Sequence, residues 1–357
     1  MIKFVPISRY IKEVSKDLNK QLAKVYAEDT VFEGPTVLET EHKLAQLTGR
    51  KHVKLVKDGS GALTVMLLAI GVQAGDEVIC INYSCPATVQ PILLLGAIPV
   101  FVDCNRYGQM DLEQVKGKIT HKTKAIVVTS LYGDTVDWDQ LSDVAIPVLN
   151  DSCQAVLNKY NGTENTLFGN LSILSFSFNK NIPIFGTYGA VLYDDKQYDL
   201  PVTMGRRNGQ PYDHANLIYR GINSQPHPDK AAQVLCSLKR VSKWQKRKKE
   251  IHDFYTERFQ HHGVPLRQSP KYSTNNYHKF VIFVNNKIKV KDKLAKLGVE
   301  VGTHYNFNFA NSQLCGNNKQ HMPNTEFFCK HALTLPNSAW HTDAEIETVV
   351  EMIRKVL

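Results

Sequence analysis

The sequence predicts an α/β protein built around a mostly parallel β-sheet with helices on both faces. Between residues 51 and 194, short apolar segments typical of buried strands alternate with helical patterns. These strands are continuously apolar, which indicates that both faces of the sheet are covered. Ligands of such sheets bind beyond the carboxyl ends of the strands, so the residues that follow each strand are the candidates for function.

Seven segments of this region are predicted strands: residues 52–56, 77–82, 98–103, 125–131, 146–151, 171–178 and 189–194. Helical patterns follow the first three strands, at residues 60–71, 87–97 and 110–119. We therefore expect a large domain of three layers, α/β/α.

The pattern changes after residue 200. A stretch rich in Gly, Asn and Pro, residues 204–228, leads into one long predicted helix at 229–260. A shorter pattern of one strand and two helices follows, at 277–286, 290–298 and 343–357. We therefore predict a large domain at residues 1–225. Residues 226–357 would form the connecting helix and a smaller C-terminal α/β domain.

The composition is that of an ordinary soluble globular protein, with 43% hydrophobic and 22% charged residues. The sequence has neither an apolar run of the roughly 18 residues needed to span a bilayer nor the features of a signal peptide. We therefore expect a cytoplasmic protein. The seven cysteines are odd in number and include no C-x-x-C pair, so the sequence predicts neither a disulfide framework nor a metal site.

The net charge of +9 favours anionic ligands, phosphates among them. The densest basic run, residues 239–249, has two interpretations. It overlaps an apolar helical spacing of Leu235, Leu238, Val241 and Trp244, which is typical of an amphipathic helix with a solvated charged face. The alternative is contact with a nucleic acid. Since the sequence contains no signature of a nucleic-acid-binding module, we expect no nucleic-acid partner.

A glycine-rich turn joins the first strand to the first helix of this region. In it, Gly59, Ser60 and Gly61 would place free amides and one hydroxyl at a helix N-terminus, where an anion is favoured. An ordinary helix cap and turn has the same composition. The segment is neither G-x-G-x-x-G nor a P-loop, so it does not support dinucleotide or nucleoside triphosphate binding.

Two charged residues follow later strands. Asp151 ends the fifth strand, where a carboxylate needs a cationic or hydrogen-bonding partner or simply caps the next turn. Lys180 follows the sixth strand, with glycines at 186 and 189 beyond it. A partly desolvated lysine is nucleophilic and can form an imine with an aldehyde, although most lysines in such positions are solvated surface residues.

Together these features resemble the DegT/DnrJ/StrS family of sugar aminotransferases, which are pyridoxal-phosphate enzymes of fold type I. The resemblance rests on Gly-Ser-Gly-Ala-Leu, then Asp-x-x-Gln-Ala about 90 residues later, then Ser-Phe-x-x-x-Lys-Asn. Shorter matches occur in the same order along nearly the whole chain, at residues 32–35, 75–79, 83–84, 96–103, 131–133, 301–305 and 333–338.

The resemblance implies roles for single residues. Lys180 would hold pyridoxal 5′-phosphate as a Schiff base and act as the catalytic proton shuttle. Asp151 would keep the ring nitrogen protonated, and Gln154 would bind the phenolic oxygen. The phosphate would be held by the following residues: Gly59, Ser60, Gly61 and Ser175. Asn223 would reach the phosphate of a partner subunit, which implies a homodimer with shared active sites.

The resemblance also implies two substrate-side residues, and four positions differ from the family's usual residues. His304 and Tyr305 would lie on the substrate side. Cys85 stands where the family stacks an aromatic residue on the cofactor ring, and it offers much less area. Three other positions differ from the family's usual Asn, His and Arg: Gln90, Ser130 and Gln225. These differences affect the expected recognition of the donor and the sugar.

The implied reaction moves an amino group from L-glutamate to a nucleotide-diphosphate-linked keto sugar, a 4-keto (or 3-keto) 6-deoxyhexose. It would serve amino-sugar or surface polysaccharide biosynthesis, lipopolysaccharide included. Two alternatives stay open. One is another reaction on the same fold, such as dehydration, although relatives of that type carry His in place of Lys180. The other is a non-catalytic binding protein that has kept the fold.

Overall fold

The computed structural model describes residues 1–211, 217–315 and 320–357. Within these ranges the α-helices are α1 (Ile7–Ala27), α2 (Pro35–Thr48), α3 (Gly59–Ala69), α4 (Pro86–Leu94), α5 (Asp199–Gly205), α6 (Pro228–Leu238), α7 (Val241–His261), α8 (Lys287–Lys296), α9 (Pro323–His331) and α10 (Asp343–Val356). The strands are β1 (His52–Val56), β2 (Glu77–Ile81), β3 (Ile98–Val102), β4 (Thr123–Thr129), β5 (Val148–Asp151), β6 (Lys159–Tyr160), β7 (Thr163–Glu164), β8 (Leu171–Ser175), β9 (Gly189–Tyr193), β10 (Phe280–Phe283) and β11 (Ala332–Leu335).

Seven strands form the central sheet, in the order β1-β9-β8-β5-β4-β2-β3. The strands from β8 to β3 are parallel to their neighbours, and β9 is antiparallel to both β1 and β8. The predicted mostly parallel α/β sheet is therefore confirmed. Since parallel strands point their carboxyl ends to one edge, β4, β5 and β8 deliver the residues after them to the same place.

Both faces of the sheet are covered, as continuously apolar strands require. In β2, Val78 and Cys80 pack into the core that α3 and α4 cover. The alternate residues Ile79 and Ile81 pack into a second core on the opposite face. Near the β1 edge, α2 and α6 cover that opposite face. The three layers follow from this alternation of side chains along each strand.

The smaller C-terminal part of the chain is built on the antiparallel pair of β10 and β11. Helices α7, α8 and α10 pack on this pair around one apolar cluster. The first residues of the chain also reach this part, because Ile2 forms a β-bridge with Val299. The proposed division of the chain at residues 225 and 226 stays a prediction. Among the described residues, no helix has both the length and the apolar character needed to cross a membrane.

Two predicted helices differ from the structure. Residues 110–119 form only two single 3₁₀ turns, at Leu112–Gln114 and Lys116–Lys118, because Gly117 weakens helical propagation and no side chain caps the first turn. The long helix predicted at 229–260 is two helices, α6 and α7. They follow different surfaces, since α6 packs against α1 and α2, whereas α7 contacts α1 near its own start and then packs against α10. A single straight helix could not follow both surfaces.

The basic run of residues 239–249 pairs mainly with acidic residues of the same chain. The salt bridges on this segment are Arg240–Asp17, Lys243–Glu13, Arg247–Glu250, Arg247–Asp343 and Lys249–Asp253. This pairing favours the interpretation of a solvated helix face. Lys248 is the exception within the run, because it points into the protein.

Candidate active site

A cavity of about 600 Å³ lies at the carboxyl ends of β4, β5 and β8, beside the N-terminus of α3. It brings together these predicted site residues: Gly59, Ser60, Cys85, Asp151, Gln154, Ser175, Lys180, His304 and Tyr305. Residues more than 200 positions apart in the sequence therefore line the same cavity. Gly61 and Asn223 do not line it.

The first turn of α3 forms one wall of the cavity. Asp58 caps this helix, and its carboxylate accepts a hydrogen bond from the Gly61 amide at 2.7 Å. The amides of Gly59 and Ser60 are thus the first-turn donors beside the cavity. A Cβ on Gly59 would lie 3.0 Å from Cβ of Ser175, so the glycine permits close approach of these two segments.

Gly61 lies behind this turn rather than in the cavity wall. A Cβ on Gly61 would lie only 2.5 Å from the Oγ of Ser224, which shows how tightly the start of α3 packs against the segment before α6. Its amide is already engaged by Asp58. A contact between Gly61 and a phosphate stays a prediction, and this geometry gives it no support.

Asp151 ends β5 and is only 8% exposed. One carboxylate oxygen, Oδ1, accepts a hydrogen bond from the Cys153 amide at 3.1 Å. The neighbouring residue across the ladder is Thr129, at the end of β4. The Thr129 hydroxyl is buried and has no hydrogen-bond partner among the described residues. A buried acid and an unmatched hydroxyl therefore border the same cavity, as expected where a polar ligand binds.

The sequence patterns do not indicate Thr129 as a site residue. The predicted strand ran from 125 to 131, whereas β4 ends at Thr129. The rule that function lies at strand ends therefore pointed two residues too far along the chain. The signal that could have found it is the change from an apolar run to Thr and Ser at positions 129 and 130.

Gln154 connects two walls of the cavity. Its Oε1 accepts a hydrogen bond from the Tyr132 amide at 3.0 Å, and its Nε2 donates to the Tyr305 hydroxyl at 2.7 Å. The Tyr305 amide in turn donates to the Tyr83 hydroxyl at 2.7 Å. Since an amide nitrogen carries two hydrogens, Gln154 keeps one donor for a ligand.

His304 is held by a 2.7 Å hydrogen bond between its Nδ1 and the Thr334 hydroxyl. Burial lowers the pKa of His304 to about 2, and the ammonium groups of Lys279 and Lys180 add to the decrease. The imidazole is therefore neutral at physiological pH. It offers the cavity a hydrogen-bonding ring without a positive charge.

Lys180 follows the end of β8, and its amide donates to the Ser177 carbonyl at 2.9 Å. Two thiols line the same cavity, from Cys85 and Cys153. Burial raises the pKa of Cys153 well above its usual range, the Asp151 carboxylate raises it further, and the Lys180 ammonium opposes both. These effects place the lysine, the carboxylate and the thiol within electrostatic range of one another.

The other positions that departed from the family pattern lie outside this cavity. Gln90 is exposed on α4, and Ser130 is buried beside Asn165. Gln225 accepts a hydrogen bond from Arg207 at 3.5 Å. Asn223 is exposed and forms a β-bridge with Arg207. Of the altered positions, Cys85 alone borders the cavity among the described residues.

Comparison with models of protein families identifies the chain. The model of the DegT/DnrJ/EryC1/StrS aminotransferase family matches residues 12–354. The chain belongs to this family. The family is pyridoxal-phosphate dependent, and related structures were solved with pyridoxal phosphate or pyridoxamine phosphate. The expected enzyme class, an aminotransferase, is therefore confirmed.

Similar proteins match over nearly their whole length. The chain is 26% identical to the UDP-2-acetamido-2-deoxy-3-oxo-D-glucuronate aminotransferase of Pseudomonas aeruginosa, over 98% of both chains. It is 27% identical to the dTDP-3-amino-3,6-dideoxy-alpha-D-galactopyranose transaminase of Aneurinibacillus thermoaerophilus, over 99% of both.

Solved structures confirm the fold. An aminotransferase of this family from Brucella abortus superimposes with a TM-score of 0.93 at 23% identity, over 99% of both chains. NtdA from Bacillus subtilis with bound PMP has a TM-score of 0.90 at 25% identity, over 99% of this chain and 85% of that one.

The residues of the cavity fit this cofactor. An anionic phosphate needs free amides and hydroxyls, which the first turn of α3 and Ser175 supply. A protonated ring nitrogen needs a buried carboxylate, which Asp151 supplies. The unmatched Thr129 hydroxyl offers a further polar contact. No group of three or more potential metal ligands occurs among the described residues.

Proposed function

We propose that this protein transfers an amino group from L-glutamate to a nucleotide-linked keto sugar, a 4-keto-6-deoxyhexose. The observation that carries the proposal is the convergence of Lys180, Asp151 and the α3 N-terminus on one cavity. The two named relatives support the sugar class, since their names specify a UDP-linked and a dTDP-linked sugar. The product would enter amino-sugar or surface polysaccharide synthesis, such as that of lipopolysaccharide.

Two charged residues would carry the chemistry. When bound, pyridoxal phosphate supplies a ring that withdraws electrons from the reacting carbon. The Asp151 carboxylate would hold a proton on the ring nitrogen. Lys180 would bind the cofactor and then serve as general base and acid, because it lines the same cavity as Asp151. It would take the proton from Cα of the donor and return a proton to the sugar carbon in the second half-reaction.

The remaining predicted site residues would hold and orient ligands. The hydroxyls of Ser60 and Ser175 and the Gly59 amide would bind the phosphate. The free N–H of Gln154 would bind the phenolic oxygen. His304 and Tyr305 line the same cavity, which supports their assignment to the substrate side.

We further propose a homodimer in which Asn223 completes the partner's site. Its exposure and its absence from the cavity of its own chain support this role. Large apolar side chains are exposed nearby in sequence, at Leu217, Ile218 and Tyr219, as is typical of interfaces. The seven cysteines are free, which supports a location in the reducing cytoplasm.

Subunit mixing tests the shared site. Lys180→Ala and Asn223→Ala chains, each inactive alone, are unfolded together and refolded as mixed dimers. If Asn223 serves the partner, each mixed dimer contains one site with both native residues, and activity returns. If Asn223 serves its own site, no mixed dimer contains an intact site, and activity stays absent.

The substrate is tested with a panel of nucleotide sugars. Holoenzyme and L-glutamate are incubated with 3-keto and 4-keto hexoses linked to UDP, dTDP or GDP, and products are identified by mass spectrometry. We expect an amino sugar from a 4-keto-6-deoxyhexose and none with Lys180→Ala. Amination of only 3-keto sugars would contradict the proposed position, and no amination at all would contradict the proposed reaction.

The donor is tested separately by absorption. Reconstituted protein should show a visible band that L-glutamate bleaches, since the amino group passes to the cofactor. A band that other amino acids bleach but glutamate does not would contradict the donor. Protein that binds no cofactor would favour the alternative of a non-catalytic descendant.

A further inference from the structure

A second, much smaller cavity lies beside Lys180, with a volume of about 20 Å³. It shares Asn179 and Lys180 with the walls of the large cavity. Two further lysines line it, Lys248 from α7 and Lys279 from the residue before β10. Its volume corresponds to one or two water molecules.

Both lysines are buried, which is rare for this residue type unless it is paired. Lys248 is 7% and Lys279 is 6% exposed. The Lys248 Nζ donates a hydrogen bond to Oδ1 of Asn181 at 2.8 Å. The Lys279 Nζ lies 4.7 Å from the centre of the Phe4 ring, an arrangement that stabilises a cation.

Neither lysine has an acidic partner in the part of the chain that the structure describes. No salt bridge among the described residues includes Lys248 or Lys279, and no carboxylate shifts the pKa of either lysine. The charged or titratable groups within range are His278, His304 and Lys180, all of them bases. Each ammonium would also keep hydrogens that no oxygen of the described residues accepts.

The buried, basic surroundings make the charged forms of Lys248 and Lys279 energetically unfavourable. Burial lowers the pKa of Lys248 to about 7. Burial also lowers the pKa of Lys279 well below its usual range, and the Lys248 and Lys180 ammonium groups lower it further. Buried charges are normally paired, since an isolated one has lost its hydration. An anion between the two lysines would remove this cost and accept their unused hydrogens.

We propose that Lys248 and Lys279 bind a small monovalent anion in this cavity, either a free halide ion or the carboxylate group of a small ligand. The volume suits one ion or one carboxylate and is too small for a larger oxyanion such as a phosphate ester. The site is separate from the phosphate-binding turn of α3, none of whose residues line it. It does not depend on which sugar the enzyme uses.

The site would also position the catalytic segment. Lys248 holds Asn181, which is buried and adjacent in sequence to Lys180. The His278 ring lies 3.3 Å from the same Asn181 oxygen. An anion that keeps Lys248 protonated would therefore keep Asn181, and with it the Lys180 backbone, in place.

Anomalous scattering tests the site directly. Holoenzyme is crystallised without chloride and soaked in sodium bromide, and crystals of Lys279→Met and Lys248→Met are treated alike. Lys246→Met is the control, because Lys246 is exposed on the same helix. We expect one bromide peak between the two Nζ atoms in the native and control proteins and none in either cavity variant. Absence of a peak from native crystals, together with no solution effect, would overturn the proposal.

Thermal unfolding supplies the solution test. Native protein, Lys246→Met, Lys248→Met and Lys279→Met are compared in gluconate, which is too bulky for the cavity, and in chloride or acetate at equal ionic strength. We expect chloride or acetate to raise Tm in the first two proteins and not in the cavity variants. Equal shifts in all four proteins would overturn the proposal.

Kinetics then distinguishes the two sources of the anion. If the cavity takes the donor's carboxylate, chloride inhibits competitively with L-glutamate, and Lys279→Met raises KM for glutamate several-fold. If it takes a free halide, chloride raises Tm and leaves that KM unchanged. Both results support the site. The proposed function would fail independently, through an absence of aminated sugar despite a bound bromide.

Discussion

The two cavities beside Lys180 differ in charge and size. The large one, about 600 Å³, contains the carboxylate of Asp151 together with several hydroxyls and free amides. The small one, about 20 Å³, is lined by three lysines and a histidine, and no acid lines it among the described residues. The large cavity therefore combines acid and base, as proton transfer requires. The small cavity gathers basic groups whose charged forms an anion would stabilise.

The largest expected effect follows from removing the lysine that the two cavities share. Lys180→Ala should lower kcat at least a thousandfold, because general acid–base catalysis contributes roughly 10²–10⁴ and the cofactor attachment is lost as well. Bromide should still bind the small cavity of this variant, since its proposed ligands are Lys248 and Lys279. Lys230→Ala is the control, because Lys230 pairs with Asp229 on α6. A tenth of native activity in Lys180→Ala would contradict its role.

Removing the acid of the large cavity should have the next largest effect. Asp151→Asn keeps the shape of the side chain but removes its charge, so the ring nitrogen would lose its proton. We expect kcat to fall about a hundredfold, a typical loss for one electrostatic contact to the reacting group. Steady-state kinetics checks this, with the exposed Asp195→Asn as control. Similar kcat values in both variants would argue against the role of Asp151.

The pH dependence of the free energy of unfolding tests the small cavity when no anion is bound. The pKa of Lys248 is about 7 in the folded state, below its usual 10.5. Between these values the unfolded chain binds more protons, so the free energy of unfolding should rise with pH. Relative to Lys248→Met, native protein should gain about 1 kcal/mol per pH unit between pH 7 and 9.

Urea unfolding in gluconate buffer at pH 7, 8 and 9 measures this difference. Lys246→Met should follow the native curve, since that lysine is exposed. The nearby bases His278 and Lys279 are present in all three proteins and so contribute to each curve. Parallel curves for native protein and Lys248→Met would show that Lys248 titrates normally.

The smallest expected effect concerns the wall of the large cavity. Cys85→Phe should tighten cofactor binding about 2- to 10-fold, because an aromatic contact adds roughly 0.5–1.5 kcal/mol beyond its area. The dissociation constant for pyridoxal phosphate, measured by absorption, checks this. Cys329→Phe, outside that cavity, should leave the constant unchanged. Weaker binding in Cys85→Phe would mean that the thiol is fitted to a ring position with no room for a larger group.

Much of the fold could be predicted because its signals are local. Continuous apolar runs identified the seven strands of the sheet. Asp151 was found because it ends one of them, and Lys180 because it follows another. Where the prediction of an element was wrong, the cause was tertiary packing, which the local sequence does not show. The predicted long helix divides at Lys239 and Arg240 because its halves pack on different surfaces. The end of β4 at Thr129 likewise depends on its neighbours in the sheet.

The sequence by itself therefore determined the α/β class, the family resemblance and the lysine expected to hold the cofactor, because these depend on patterns within short segments. Tertiary structure alone decided which side chains share a cavity. Lys248 was one of a basic run and Lys279 one residue before a strand, and nothing local distinguished either from surface lysines. Only packing against Phe4 and Asn181 buried both beside Lys180 without an acid.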